Sequence, residues 1–259
     1  MATANTSVTA GKAQHEGELH VDAIGKQFGG LKVFDQVSFK LLPGDILGVV
    51  GPNGAGKTTL INIISGLLFP THGRITLGGH DITRTVFHGR SRMGVIRSFQ
   101  QTSTFRPATV RENIARAIRF SHGSEMPPRG MDALMKRFEL SDRLDEQSDK
   151  LPYGLQKMLG LVLAYVTSPK VLLLDEPAAG LEIRERGRVD DFVHHVREEL
   201  GCGMLIVEHD MDLIRRLCPQ IMVLDSGRVL AEGPPADVLA RPEVIAAYMG
   251  AAEEVAEQC

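Results

Sequence analysis

The sequence predicts an α/β fold: a mainly parallel sheet at the core, an antiparallel β subdomain on the N-terminal side, and a helical subdomain inserted between two parallel strands. Three observations carry this prediction. The apolar run Ile46–Val50 leads into Gly51-Pro52-Asn53-Gly54-Ala55-Gly56-Lys57-Thr58-Thr59, and Leu60–Ile64 follows with helical character. Two later runs, Val171–Leu174 and Met204–Val207, are apolar at every position, the pattern of parallel strands covered on both faces. Between the loop and those runs, apolar residues from about Thr102 to Ser168 recur mainly at helical spacing.

The first observation also carries a chemistry. Gly51 to Thr58 fits the pattern Gly-x-x-x-x-Gly-Lys-[Ser/Thr], and it stands between a strand and a helix as that pattern requires. Gly54 and Gly56 let the backbone curl without a Cβ clash, so several N–H groups point inward at phosphate oxygens. The positive end of the new helix adds to them. The stretch Gly51–Thr59 is therefore the expected cradle for a nucleoside triphosphate. Lys57 is expected to reach the β- and γ-phosphates, and the Thr58 hydroxyl to ligate Mg²⁺. The run Val171–Leu174 ends in Asp175-Glu176. An Asp at the carboxyl end of a buried parallel strand lies beside the phosphate loop in a doubly wound sheet. Asp175 is the expected second holder of Mg²⁺, and Glu176 the general base facing an attacking water. His209 ends the next strand, within reach of a γ-phosphate. Gln100 ends another, where a neutral amide binds Mg²⁺ or water without adding charge.

Taken in order, residues 1–17 are small and polar and are expected to form a disordered tail before a domain spanning 18–250. Leu19–Phe28 and Val33–Leu42 carry alternating apolar residues on either side of Gly29-Gly30, as an antiparallel pair does. Pro43-Gly44-Asp45 turns the chain into the strand before the loop. Pro70 stops the helix after it, and Arg74–Leu77 returns to strand character. Arg92–Phe99 is a short strand leading to Gln100. Within the insert, placed at 102–168, Val110–Phe120, Met131–Phe138 and Leu155–Val166 are the helices, and Ser121–Arg129 is a loop. Val189, Phe192, Val193, Val196 and Leu200 share a helix face that Gly201 closes. Met211–Leu217 is a further short helix. Ile221–Leu224 and Arg228–Ala231 flank Asp225-Ser226-Gly227 as a hairpin. Pro235–Gly250 is helical with a break at Pro242, and 251–259 is a tail.

Composition narrows the partners. A net charge of −3 gives no basic footprint for nucleic acid. No apolar run has the length needed to cross a bilayer, and the N-terminal stretch lacks the apolar centre of a secretory signal. Cys202, Cys218 and Cys259 are scattered without metal spacing, which fits a reducing cytosol. A role at a membrane then has to run through a partner.

The order of Gly51–Thr58, Gln100, Leu151-Pro152-Tyr153-Gly154-Leu155-Gln156, Leu172–Glu176, Ala179-Gly180-Leu181-Glu182 and His209 resembles that of an ABC-transporter ATPase subunit, a P-loop NTPase, over about Leu19 to Gly250. The resemblance implies that Phe28 stacks on adenine. It implies that Leu151–Gln156, with Tyr153 and Gly154 at its centre, contacts the γ-phosphate bound to the opposite subunit, and that Ala179–Glu182 crosses the dimer interface. Two ATP·Mg²⁺ are then held between two ATPase subunits, and a lone copy is a poor ATPase. Phe28-Gly29-Gly30-Leu31, Arg97-Ser98-Phe99-Gln100-Gln101, Val207-Glu208-His209-Asp210-Met211 and Ala246-Ala247-Tyr248-Met249-Gly250 are similar in particular to the importers of branched-chain (hydrophobic) amino acids. Such an importer implies a second ATPase subunit, two membrane permeases and a periplasmic binding protein, with the ATPases on the cytoplasmic face of the inner membrane. The signature segment departs from the common Leu-Ser-Gly-Gly-Gln: Pro152 replaces the Ser, Tyr153 the first Gly, and the Gln is displaced to Gln156. Pro152 has no N–H to offer a phosphate, whereas Gly154 keeps its own. Urea or amide importers and lipopolysaccharide exporters share part of the motif set. A soluble ABC ATPase of DNA repair or translation is disfavoured, since no coiled-coil insert, zinc cysteines or second ATPase unit is present.

Overall fold

The computed structural model describes residues 16–98, 105, 107–120 and 128–257. Near the N-terminus, β1 (Leu19–Phe28), β2 (Leu31–Leu41), β4 (His72–Leu77) and β5 (His80–Asp81) form a four-stranded antiparallel sheet in the order β2-β1-β4-β5. The strand β3 (Ile46–Val50) leaves it for a six-stranded sheet with β6 (Val95–Ser98), β7 (Val171–Asp175), β8 (Gly203–Val207), β9 (Gln220–Asp225) and β10 (Arg228–Gly233). The order is β10-β9-β3-β8-β7-β6, parallel throughout except for the hairpin strand β10 at one edge.

Helices cover this sheet. They are α1 (Lys57–Ser65), α2 (Phe87–Arg92), α3 (Val110–Phe120), α4 (Met131–Arg137), α5 (Tyr153–Val166), α6 (Ile183–Leu200), α7 (Met211–Leu217), α8 (Pro235–Leu239) and α9 (Pro242–Glu257). The all-apolar strands divide their side chains between two cores, as the period of two requires. Leu172, Leu174, Met204 and Ile206 join the core that also takes α3, α4, α5 and α6. Val171, Leu173, Leu205 and Val207 join the core built with α1 and the antiparallel sheet. With both faces covered, the strands have no polar side to show, which is why they read as unbroken apolar runs.

The structure departs from the sequence reading in four places. A helix, α2, occupies Phe87–Arg92, and the strand after it starts only at Val95. In the insert, α5 begins at Tyr153, two residues before the expected Leu155, because Pro152 takes an extended conformation (φ −50°, ψ 147°) and serves as the residue before the helix. The last helix runs through Gly250 to Glu257, where a tail was expected. Glu16 pairs with Lys170 at 3.2 Å, so part of the expected N-terminal tail touches the folded unit. Residues 1–15, Phe99, Gln100, Gln101, most of the Ser121–Arg129 loop and Cys259 lie outside the described residues. Among the described residues, no helix is long and apolar enough to cross a membrane.

Candidate functional site

The carboxyl ends of three central strands stop level with one another. Val49 of β3 and Asp175 of β7 both stand in register with Val207 of β8. Gly51, Glu176 and His209 therefore leave the sheet side by side. The strand order also reverses here, with β8 on one side of β3 and β9 on the other. A crevice at such a switch point is where open α/β sheets take ligands.

The loop after β3 is shaped by its glycines. Gly51, Gly54 and Gly56 have φ of 149°, 80° and 100°. A Cβ on Gly51 would lie 2.0 Å from the Leu224 carbonyl oxygen, and one on Gly56 would lie 3.0 Å from Phe34 Cδ1. The first contact fixes the loop against the end of β9, and the second seats it under β2. Asn53, Gly54 and Thr58 are exposed, Pro52 and Thr59 are half-buried, and Ala55 is buried. Lys57 opens α1, and its Nζ donates to the carbonyls of Gly51 and Pro52 at 2.6 and 2.8 Å. Burial lowers the Lys57 pKa, and the negative charge of Glu176 acts in the opposite sense.

Asp175 is 5% exposed, and its Oδ2 accepts from Arg97 Nη2 at 2.6 Å. Arg97 Nη1 donates at 2.6 Å to Asn62 Oδ1 on α1. One guanidinium thus links β6, β7 and the helix that carries the loop. Glu176 follows with φ 47°, a left-handed conformation that a side chain makes costly. Its amide still donates to the Val207 carbonyl at 2.8 Å, and its Oε1 lies 3.5 Å from His209 Nδ1. Glu208 is 1% exposed and accepts from the amides of Ala178, His209 and Asp210 at 2.9, 3.0 and 3.4 Å.

The structure brings Lys57, Glu176 and His209 together and joins Asp175 to them through Arg97 and Asn62. Phe28 lies at the end of β1, half exposed, with Lys26 Nζ 4.6 Å from its ring centroid. Tyr153 and Gly154 have a different set of neighbours. A Cβ on Gly180 would lie 2.9 Å from Tyr153 Cε1, and one on Gly154 would lie 2.3 Å from Glu185 Oε1. The start of α5 is thus seated on the segment Ala179–Glu182. Gln100 lies outside the described residues. Arg97, Asn62 and Glu208 went unassigned in the sequence. The available signal was a charge inside each of two otherwise apolar strand ends, Arg97 and Glu208, since a buried charge demands a partner.

The arrangement suits one kind of chemistry. A glycine-shaped loop and a lysine at a helix start suit a polyphosphate, the buried carboxylate that ends β7 suits a divalent cation, and the carboxylate after it suits a water. Comparisons with known proteins agree. A family model for ABC transporters matches residues 34–179, and a model for branched-chain amino acid ATP-binding cassette transporters matches residues 228–254. The chain is 35% identical to the high-affinity branched-chain amino acid transport ATP-binding protein LivG of Escherichia coli (strain K12), over 90% of this chain and 98% of that protein. It is 33% identical to the corresponding protein BraF of Pseudomonas aeruginosa, with the same coverage. Among solved structures, an ATP-binding cassette of an ABC transporter in its ADP conformation superposes with a TM-score of 0.76 at 30% identity, over 90% of this chain and 98% of that one.

Proposed function

We propose a function from this premise: the chain belongs to the ATP-binding subunits of ABC transporters, in the branched-chain amino acid group. It is an ATPase, and members of its family use ATP with Mg²⁺. In our reading it powers the import of branched-chain or other hydrophobic amino acids. It works at the cytoplasmic face of the inner membrane, paired with a second ATPase subunit and seated on two permeases fed by a periplasmic binding protein. The names of the relatives and the match of residues 228–254 support the cargo.

The geometry of the described residues supports a set of roles. The amides of Gly51–Thr59 and the start of α1 orient the phosphates, and Lys57 exchanges its loop carbonyls for phosphate oxygens. Thr58 and Asp175, with Gln100, would hold Mg²⁺, which supplies charge neutralisation on the phosphates when bound. The residues fit that ion: Asp175 is a buried carboxylate oxygen donor paired with Arg97, and Thr58 is an exposed hydroxyl at the helix start. Glu176 takes the proton of the attacking water, and His209 holds the γ-phosphate end of the pocket. Phe28 offers its free face to the base. Tyr153 and Gly154, on the seat formed with Gly180, serve the nucleotide of the partner subunit. The domain limits fit the same scheme, with 18–250 as the ATPase and 102–168 as the insert that meets the permease.

The observation that carries the reading is Glu176: a strained carboxylate one residue beyond the buried Asp175, 3.5 Å from His209 and acting on Lys57. Glu176→Gln keeps the shape and removes the base. Turnover by the assembled transporter is expected to fall by about a hundredfold or more, with ATP still bound. Steady-state phosphate release and a binding titration measure the two; retained turnover would exclude Glu176 as the base.

A further inference from the structure

Lys157 lies on the second turn of α5 and is 7% exposed, an unusual place for an ammonium. Its Nζ donates to the backbone carbonyl of Glu176 at 3.0 Å and to that of Ala179. Both acceptors sit in the bend between β7 and α6. Glu208 holds the same bend from the β8 side, through the Ala178 amide at 2.9 Å. Glu208 and Glu176 are the charges that act on Lys157, each opposing the burial that lowers its pKa.

The bend contains the strained residue. Glu176 has φ 47°, and a side-chain-bearing residue keeps such a conformation only where its neighbours hold it there. Its N–H donates to the Val207 carbonyl, and its C=O accepts both from Lys157 Nζ and from the Ala179 amide at 3.1 Å, the amide of a residue whose own carbonyl Lys157 also holds. The two peptide groups that set the direction of the Glu176 side chain are thus anchored to different elements, one in the sheet and one on α5. The first turn of α5 carries Tyr153 and Gly154, packed against Gly180 and Glu185. A shift of α5 therefore reaches the Glu176 backbone directly through the Lys157 ammonium.

We propose that Lys157 is a positioning residue for hydrolysis: it ties the backbone of Glu176 and the Ala179–Glu182 segment to α5, so that the carboxylate is aimed only while the start of α5 is seated. The proposal rests on the reading of Glu176 as the base. It gives the helix that serves one nucleotide a direct hold on the base that attacks the other. Nothing in it requires Lys157 to touch nucleotide, so its loss separates turnover from binding.

The test uses the assembled transporter in proteoliposomes, with ATP turnover and the affinity for a fluorescent ATP analogue with Mg²⁺ as paired readouts. Lys157→Met keeps the length and apolar stem of the side chain but donates to neither carbonyl. It is expected to lower kcat by about tenfold or more, since small displacements of a reacting group carry losses of that order. Affinity is expected to stay within about threefold, and Lys157→Arg to recover most of the turnover. A kcat that stays within about threefold of the parent, an affinity that falls in step with kcat, or an arginine variant as slow as the methionine one overturns the proposal. Should Lys157→Met fail to fold, Lys157→Leu, which likewise donates to neither carbonyl, carries the same readouts and the same criteria. A parent protein that turns over normally alongside an indifferent Lys157→Met sinks the role of Lys157 alone. Retained turnover in Glu176→Gln sinks the underlying reading instead.

Discussion

Two glycines of the phosphate loop look alike in sequence and differ in what surrounds them. Gly54 has φ 80° and nothing within 4 Å of a built Cβ, so an alanine there meets only backbone strain. Gly54→Ala is expected to cost about 1–2 kcal/mol. Gly51 has φ 149°, and a Cβ would stand 2.0 Å from the Leu224 carbonyl oxygen, so the loop and the end of β9 must part. Gly51→Ala is expected to cost about 3 kcal/mol or more. Urea melts of the two variants check the order, and equal losses would contradict it. The same contrast marks what single residues disclose. Lys57 was readable from the Gly-x-x-x-x-Gly-Lys pattern, and Asp175 and Glu176 because they close the apolar run Val171–Leu174. The work of Arg97 was not, because its partners Asn62 and Asp175 are 35 and 78 residues away along the chain. Only the parallel pairing of β6 with β7 and the return of α1 across the sheet make them neighbours.

At the level of elements, the short helix α2 was invisible in the sequence and is central to how α1 ends. Its six residues include a glycine and four hydrophilic side chains that show no helical apolar stripe, and its N-cap Val86 offers no side-chain bond. Its value lies in Arg90, which is fully buried. The guanidinium donates to the carbonyls of Ile63 and Ile64 at 2.6 and 2.8 Å, and to those of Thr83 and Thr85 at 3.0 and 2.9 Å. The first two belong to the last turn of α1, where the helix dipole is negative and where the Ile63 carbonyl also accepts a capping bond from the Gly66 amide at 3.2 Å. Burial lowers the Arg90 pKa to about 10, so it remains charged at neutral pH. Arg90→Leu fills the space but strands these acceptors, and is expected to cost about 3 kcal/mol. For a domain of this size that corresponds to a fall in melting temperature of roughly 6–12 °C. Differential scanning calorimetry reads it directly, and a fall of under 2 °C would mean that water replaces the guanidinium without loss. Because α1 opens at Lys57, a loosened C-terminal end also weakens the frame of the phosphate loop.

For the whole molecule, the legible part was the sheet and its sequence order, because strands buried on both faces must be apolar throughout and cannot hide in a sequence. What stayed hidden were the ties between segments: Arg97 to Asp175, Lys157 to Glu176, Glu208 to Ala178. Each is a long-range pairing of a charge with a carboxylate or a backbone group, and no local pattern encodes it. These ties bear on how the protein responds to its ligand. The loop after β3, the bend after β7 and the turn after β8 are separate in sequence, and ATP·Mg²⁺ in the proposed site touches all three. Binding should therefore favour the folded chain over the unfolded one even in a lone copy, while hydrolysis awaits the signature segment of the partner ATPase subunit. At a nucleotide concentration a hundred times Kd, the linkage amounts to about 2.7 kcal/mol. The expected rise in melting temperature is roughly 5–10 °C. Differential scanning fluorimetry of the isolated chain, with phosphate release followed in the same samples, separates binding from turnover. A melting temperature indifferent to ATP·Mg²⁺ would remove the nucleotide site. A shifted melting temperature accompanied by full-rate hydrolysis in a strictly monomeric sample would leave the site standing and remove the shared seam between two subunits.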